Sequence, residues 1–133
     1  MAKPELDLSD WPIVVTRPAA GPVTDEELKA YMREHAARVL EREGDYVQVL
    51  DLRNDPKLTP DQRSMMGDMH DYEELVAREA GTAMVFNSAL LRWMLSAVFW
   101  VKRQERAMGV FATAEEASEW GKALLAERSR KAG

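Results

Sequence analysis

Short β-branched or apolar runs alternate along the chain with longer stretches in which apolar residues recur every three or four positions, and the alternation repeats four times. Trp11 to Thr16 reads as the first strand, ending at the turn-forming Arg17-Pro18-Ala19-Ala20-Gly21-Pro22. Thr24 stands three residues before Glu27, the spacing of a capping box, with Val23 and Leu28 at the two staple positions. Leu28, Tyr31, Met32, Val39 and Leu40 then keep helical spacing until Gly44 stops the helix. Tyr46 to Leu50 is the second strand, closed by a turn from Asp51 to Pro56 that contains Asn54-Asp55-Pro56. Thr59, Pro60 at the first helical position and Gln62 at the third open a second helix. It is expected to run toward Glu79, to be weakened at Gly67 and to end at Gly81.

Thr82 to Phe86 is apolar on both faces, as befits a central parallel strand covered by helices on each side. Asn87 or Ser88 can cap a third helix from Ala89 to about Gln104, and Ala107 to Phe111 is the fourth strand. Thr113 with Glu116 caps a last helix that places Ala117, Trp120 and Leu124 on one face before Arg128, Arg130 and Lys131. Strand and helix in regular alternation predict an α/β fold of four βα turns: a mainly parallel four-stranded sheet, right-handed crossovers and helices packed on it. The expected organisation is a flexible lead-in over 1–10, a single domain over 11–127 and a frayed tail over 128–133.

Composition narrows the function. A chain of 133 residues with 46% hydrophobic content can bury one core around a sheet. Acids and bases are interspersed to a net charge of −5, and the densest basic stretch is the expected tail, so nucleic acid is an unsuitable partner. The absence of cysteine removes disulfides, thiolate metal sites and cysteine nucleophiles together. Residues 1–10 carry acids and lack the apolar stretch of a secretory signal, which makes cytoplasmic residence the expectation. The longest nearly apolar run, Ala89 to Val101, contains Arg92 and Ser96 and falls well short of the roughly 20 residues a membrane span needs. It reads as a buried helix, without membrane insertion.

Three stretches taken in order, Val47 to Arg53 (VQVLDLR), Ala83 to Trp100 (AMVFNSALLRWMLSAVFW) and Gly109 to Trp120 (GVFATAEEASEW), carry a family resemblance. They resemble the SpoIIAA-like fold shared by STAS domains (sulfate transporter and anti-sigma factor antagonist), and more closely the small stand-alone bacterial proteins of that fold. The likeness spans about Trp11 to Leu125. These are packing and capping residues, which identify a fold more readily than an activity. What the resemblance implies is a non-enzymatic regulatory or scaffolding module, and in STAS regulators the switch is a phosphorylatable serine where the second helix starts. This chain departs from that pattern. Its corresponding loop, Asp51 to Thr59, lacks the aspartate-serine pair; Thr59 is the hydroxyl near the right place, and its capping role already explains it.

The residues themselves offer little catalytic chemistry. Asp68, His70 and Asp71, with His35 elsewhere, form the one candidate metal cluster, and only Asp68 with Asp71 has the helical spacing that lets ligands converge. Ser88 lies between a strand and a helix but has no flanking glycines and no histidine placed as its base. Phosphate-cradling glycine loops are missing. No catalytic residue, metal ligand or cofactor is assigned. Open α/β sheets bind ligands at the carboxyl ends of their strands, where Thr16, Arg17, Asp51, Arg53, Asn54, Asn87, Ser88 and Thr113 gather; Asp51, Arg53, Asn54, Thr59, Asn87 and Ser88 form the candidate ligand or switch rim.

The third predicted helix is the richest feature. Leu91, Met94, Leu95, Val98 and Phe99 fill one stripe, Trp93, Ala97, Trp100 and Val101 extend around another side, and Arg92 with Ser96 leaves a narrow wet strip. A helix apolar over so much of its circumference needs more than one neighbour, and tryptophan, methionine and arginine are enriched at interface cores. The leading expectation is therefore a non-enzymatic module that self-associates or docks a protein through this helix, using Trp93, Met94, Ala97, Trp100 and Val101. The alternatives are a carrier of an apolar small molecule or lipid, akin to CRAL-TRIO domains, and an enzyme of unrecognised chemistry.

Overall fold

A computed structural model describes residues 5–54, 56–62, 73–90, 92, 93 and 107–132. Gly67, the Asp68, His70 and Asp71 group and most of the helix expected from Ala89 to Gln104 lie outside them. The strands are β1 (Glu5–Asp7), β2 (Ile13–Arg17), β3 (Gly21–Pro22), β4 (Tyr46–Asp51), β5 (Pro56–Lys57), β6 (Glu79–Val85) and β7 (Ala107–Phe111). The helices are α1 (Asp25–Leu40), α2 (Glu73–Arg78) and α3 (Ala114–Ala132).

The main sheet runs β1-β2-β4-β6-β7, with β2, β4, β6 and β7 all parallel, as the alternation of elements predicts. It has five strands where the sequence pattern led us to expect four. The added strand is β1, antiparallel to β2 with Glu5 opposite Arg17 and Asp7 opposite Val15, inside the stretch read as a flexible lead-in. Three residues with two acids carry too short an alternation to be read as a strand. In the fold, Leu6 packs against the core and the two carboxylates meet Arg17, at 3.5 Å for Glu5 and 3.8 Å for Asp7. A further pair, β3 with β5, forms a small parallel sheet of its own.

Both faces of the main sheet are buried, which is why apolar residues occupy both faces of the central strands, with Gln48, Glu79 and Thr82 buried among them. On one face Ile13, Val15, Val47, Val49, Ala83 and Val85 meet Ala117, Trp120 and Leu124 of α3. On the other, Val14 and Tyr46 meet Ala36 and Val39 of α1 and Leu75 of α2. This second face also holds a buried polar pair. The Tyr31 hydroxyl donates to Thr16 Oγ1 at 2.8 Å, and burial pushes the phenol up to about 12, with Glu34 adding to the rise and the Thr16 bond opposing it.

The capping signals are reproduced closely. Glu27 N–H donates to Thr24 Oγ1 at 3.1 Å while Thr24 N–H donates to Glu27 Oε1 at 3.0 Å, and Gln62 and Thr59 exchange the same two bonds at 3.1 and 3.0 Å. Gln62 also donates from Nε2 to Val23 O and Asp25 Oδ1, both at 2.9 Å, tying the start of the second helical stretch to the start of α1. At Thr113 only half of the box forms: its Oγ1 accepts from Glu116 N–H at 3.2 Å, but the Glu116 carboxylate meets the Thr113 hydroxyl instead of its backbone.

Two boundaries differ from expectation. Helix α2 ends at Arg78 and β6 begins at Glu79, so Gly81 lies within a strand and does not stop a helix. Its reason is packing. A Cβ built on Gly81 would stand 2.7 Å from Leu124 Cδ2, 2.9 Å from the Ala107 carbonyl oxygen and 3.0 Å from Trp120 Cη2. The second boundary is at the far end, where α3 continues through Ala132 over residues read as a frayed tail. Arg128 anchors it: its Nη2 donates to Ala77 O at 2.8 Å and its Nε lies 3.2 Å from Asp45.

Candidate functional site

Because β2, β4, β6 and β7 are parallel, their carboxyl ends open on one side of the sheet, and the residues that follow them form the rim. Asp51, the last residue of β4, is buried there, and two arginines converge on its carboxylate. Arg53 binds it in bidentate fashion, Nε to Oδ1 at 2.8 Å and Nη2 to Oδ2 at 2.6 Å, while the Arg53 backbone N–H donates to Oδ1 at 3.2 Å. Arg17 Nε lies 3.6 Å from Oδ2. The Arg53 hydrogen bonds hold the Asp51 carboxyl below the usual carboxylate range; burial opposes this, and the charges of Arg53 and Arg17 reinforce it. The same pairing raises the Arg53 guanidinium. Such a bidentate pair is geometrically specific, and it spends the guanidinium fork inside the protein.

The rim continues through backbone ties. Leu52 N–H donates to Val85 O at 2.9 Å, Phe86 N–H to Phe111 O at 3.1 Å and Asn87 Nδ2 to Arg53 O at 3.0 Å, so the ends of β4, β6 and β7 are held together. Arg92 N–H donates to Ser88 O at 3.0 Å, the first helical hydrogen bond after the strand, and its guanidinium turns back onto Phe86 O. Arg92 is thus half-buried rather than part of a wet strip. Asn87, Ser88, Ala89 and Leu90 are exposed in succession, Leu90 at 67%, and Trp93, one helical turn further on, is 69% exposed.

The residues expected to act therefore divide into groups. Asp51, Arg53 and Asn87 are brought together, with exposed Asn54 in the turn beside them and Ser88 at the start of the following helix. Thr59 belongs to the other cluster, at the start of α1, where its hydroxyl caps through Gln62. Of the expected interface, Trp93 is exposed, whereas Met94, Ala97, Trp100 and Val101 lie outside the described residues. Leu90 was not singled out from the sequence, although its position three residues before Trp93 puts both on one helical face. His35, weighed as a metal ligand, is buried in α1 with its ring 6.0 Å from that of Tyr31. Among the described residues no group of three or more histidine or carboxylate side chains is placed to hold a metal, and no helix is long and apolar enough to cross a membrane.

The sheet order, the helices on both faces and the rim at the strand ends define a SpoIIAA-like α/β fold. A solved structure with this fold, an uncharacterized protein of the DUF3478 family from Shewanella loihica, superposes with a TM-score of 0.62 over 88% of this chain and 90% of its own, at 15% identity. No protein-family model matches the chain, and no curated protein matches it.

Proposed function

We propose that the chain is a non-enzymatic interaction module that docks a protein partner through the apolar surface opened by Leu90 and Trp93. The observation that carries this reading is their exposure, 67% and 69%, on one face of the helix that leaves β6. Burying what these two side chains leave in water would return about 4 kcal/mol, a large incentive for two residues. Asn87 and Ser88, exposed just before them in the chain, supply polar groups beside the apolar pair, as the rim of an interface does. Tryptophan is also a preferred anchor of interface hot spots.

The outward direction of both side chains favours docking over the carriage of an apolar ligand, whose site would be concave. The rim favours it over catalysis, because the buried carboxylate there is already engaged by Arg53 and Arg17. The reading is tested by placing a photo-crosslinking aromatic residue at Trp93 and, as a control, at exposed Lys29 on α1, in cells that make the protein. A discrete adduct with one protein from position 93 and none from position 29 is expected. Equal or absent adducts at the two positions would refute the docking surface.

A further inference from the structure

The two edges of the main sheet are built differently. At one edge β1 is three residues long and presents Glu5 and Asp7, a short charged edge of the kind that discourages pairing with another chain. At the other, β7 is Ala107-Met108-Gly109-Val110-Phe111, with no charge and no proline, in unbroken register with β6 from Gly81 opposite Ala107 to Val85 opposite Phe111. All five residues of β7 are half-buried, where the inner strands are almost wholly buried. Among the described residues, β6 is the strand that pairs with β7, and nothing pairs with its outer side.

The hydrogen-bonding parity of β7 says which groups face outward. Phe111 C=O accepts from Phe86 N–H, on the β6 side. Backbone groups of alternate residues point to opposite sides of a strand, so Ala107, Gly109 and Phe111 serve β6, while Met108 and Val110 turn their N–H and C=O groups to the open edge. These two residues are symmetrically disposed about Gly109, which makes the edge self-complementary.

We propose that β7 pairs with β7 of a second copy of this chain, antiparallel about Gly109, joining two five-stranded sheets into one. In that register Met108 of each copy lies opposite Val110 of the other, and each such pair exchanges two backbone hydrogen bonds. Ala107 falls opposite Phe111, a small side chain against a large one, and no like charges meet across the seam. The contact is isologous, so it closes as a dimer and does not propagate. It is independent of the Leu90 and Trp93 surface.

A single strand pair is a small interface, so association is expected over a range of about 10 µM to 1 mM. Sedimentation velocity of the full chain across that range, with residue-resolved amide exchange at both ends of it, tests the pairing. Exchange at Met108 and Val110 should slow by about fivefold at the high concentration, while Gly109 and Phe111 are protected equally at both. Met108→Lys should abolish the dimer and Trp93→Ser should leave it intact; if Met108→Lys does not fold, the exchange pattern of the wild-type chain decides. A strict monomer up to about 1 mM would overturn the proposal. So would a dimer in which Met108 and Val110 exchange as fast as in the monomer; if Trp93→Ser then abolished that dimer, the second copy would be the partner of the Trp93 surface instead.

Discussion

Replacing Gly81 with alanine puts one methyl group into the seam between β6 and α3. The methyl would meet Leu124 Cδ2 at 2.7 Å and Trp120 Cη2 at 3.0 Å, contacts that side-chain rotation can relieve in part. It would also meet the Ala107 carbonyl oxygen at 2.9 Å, and that atom belongs to the neighbouring strand, so relief there requires β6 and β7 to move apart. Overpacking of this kind costs about 1–3 kcal/mol, and loss of glycine's freedom in the unfolded chain returns about 0.4–1 kcal/mol, leaving a net loss of about 1–2 kcal/mol. With an unfolding entropy of about 2.1 cal/mol/K per residue over 133 residues, or about 0.28 kcal/mol/K, the midpoint falls by about 4–7 °C. Thermal unfolding followed by circular dichroism measures it. A Gly81→Ala chain that melts with the wild type, or above it, would show that the seam is not tightly closed and that the account of this glycine is wrong.

Asp51→Asn should destabilise the fold by about 2 kcal/mol at neutral pH, because it leaves two guanidinium groups without their buried carboxylate. The folded carboxyl lies below its ordinary value of about 4, so its contribution is complete above that pH and is lost as pH falls through the lower folded value. Denaturant midpoints of the two chains should therefore converge in acid, and a difference that stays constant would count against the ion cluster. Tyr31 has its pKa raised to about 12, so the neutral phenol contributes stability below its ordinary value of about 10 that disappears as pH rises through about 12. The ultraviolet difference between wild type and Tyr31→Phe should titrate near the upper value; titration near the ordinary one would place Tyr31 in water.

Much of the architecture is legible because it follows from local rules. Thr24 with Glu27 and Thr59 with Gln62 announce helix starts through their own spacing, β7 announces itself through uninterrupted apolar character, and β4 through an apolar, β-branched run broken at Gln48. What is not legible depends on partners remote in sequence. Nothing local distinguishes Glu5–Asp7 from a solvated lead-in until Arg17 and the core stand beside it. Gly81 looks like a helix stop because the requirement on it comes from Leu124 and Trp120, some forty residues away. Similarly, Asp51 and Arg53 are recognisable as rim residues, but their closure on each other and the added reach of Arg17 are tertiary facts. The exposure of Trp93 could be expected from a helix with too many apolar faces, and that of Leu90 follows only once the neighbouring strand ends are in place.

The central claim, that Leu90 and Trp93 form a docking surface, is tested most directly by the size of the protein's complex in extracts of cells that make it. Gel filtration should find the wild-type chain in an assembly larger than its monomer. A Leu90→Ser, Trp93→Ser chain should elute without that partner, while its melting temperature stays within about 2 °C of wild type, as suits exposed positions. An assembly retained undiminished by the double variant would contradict the account.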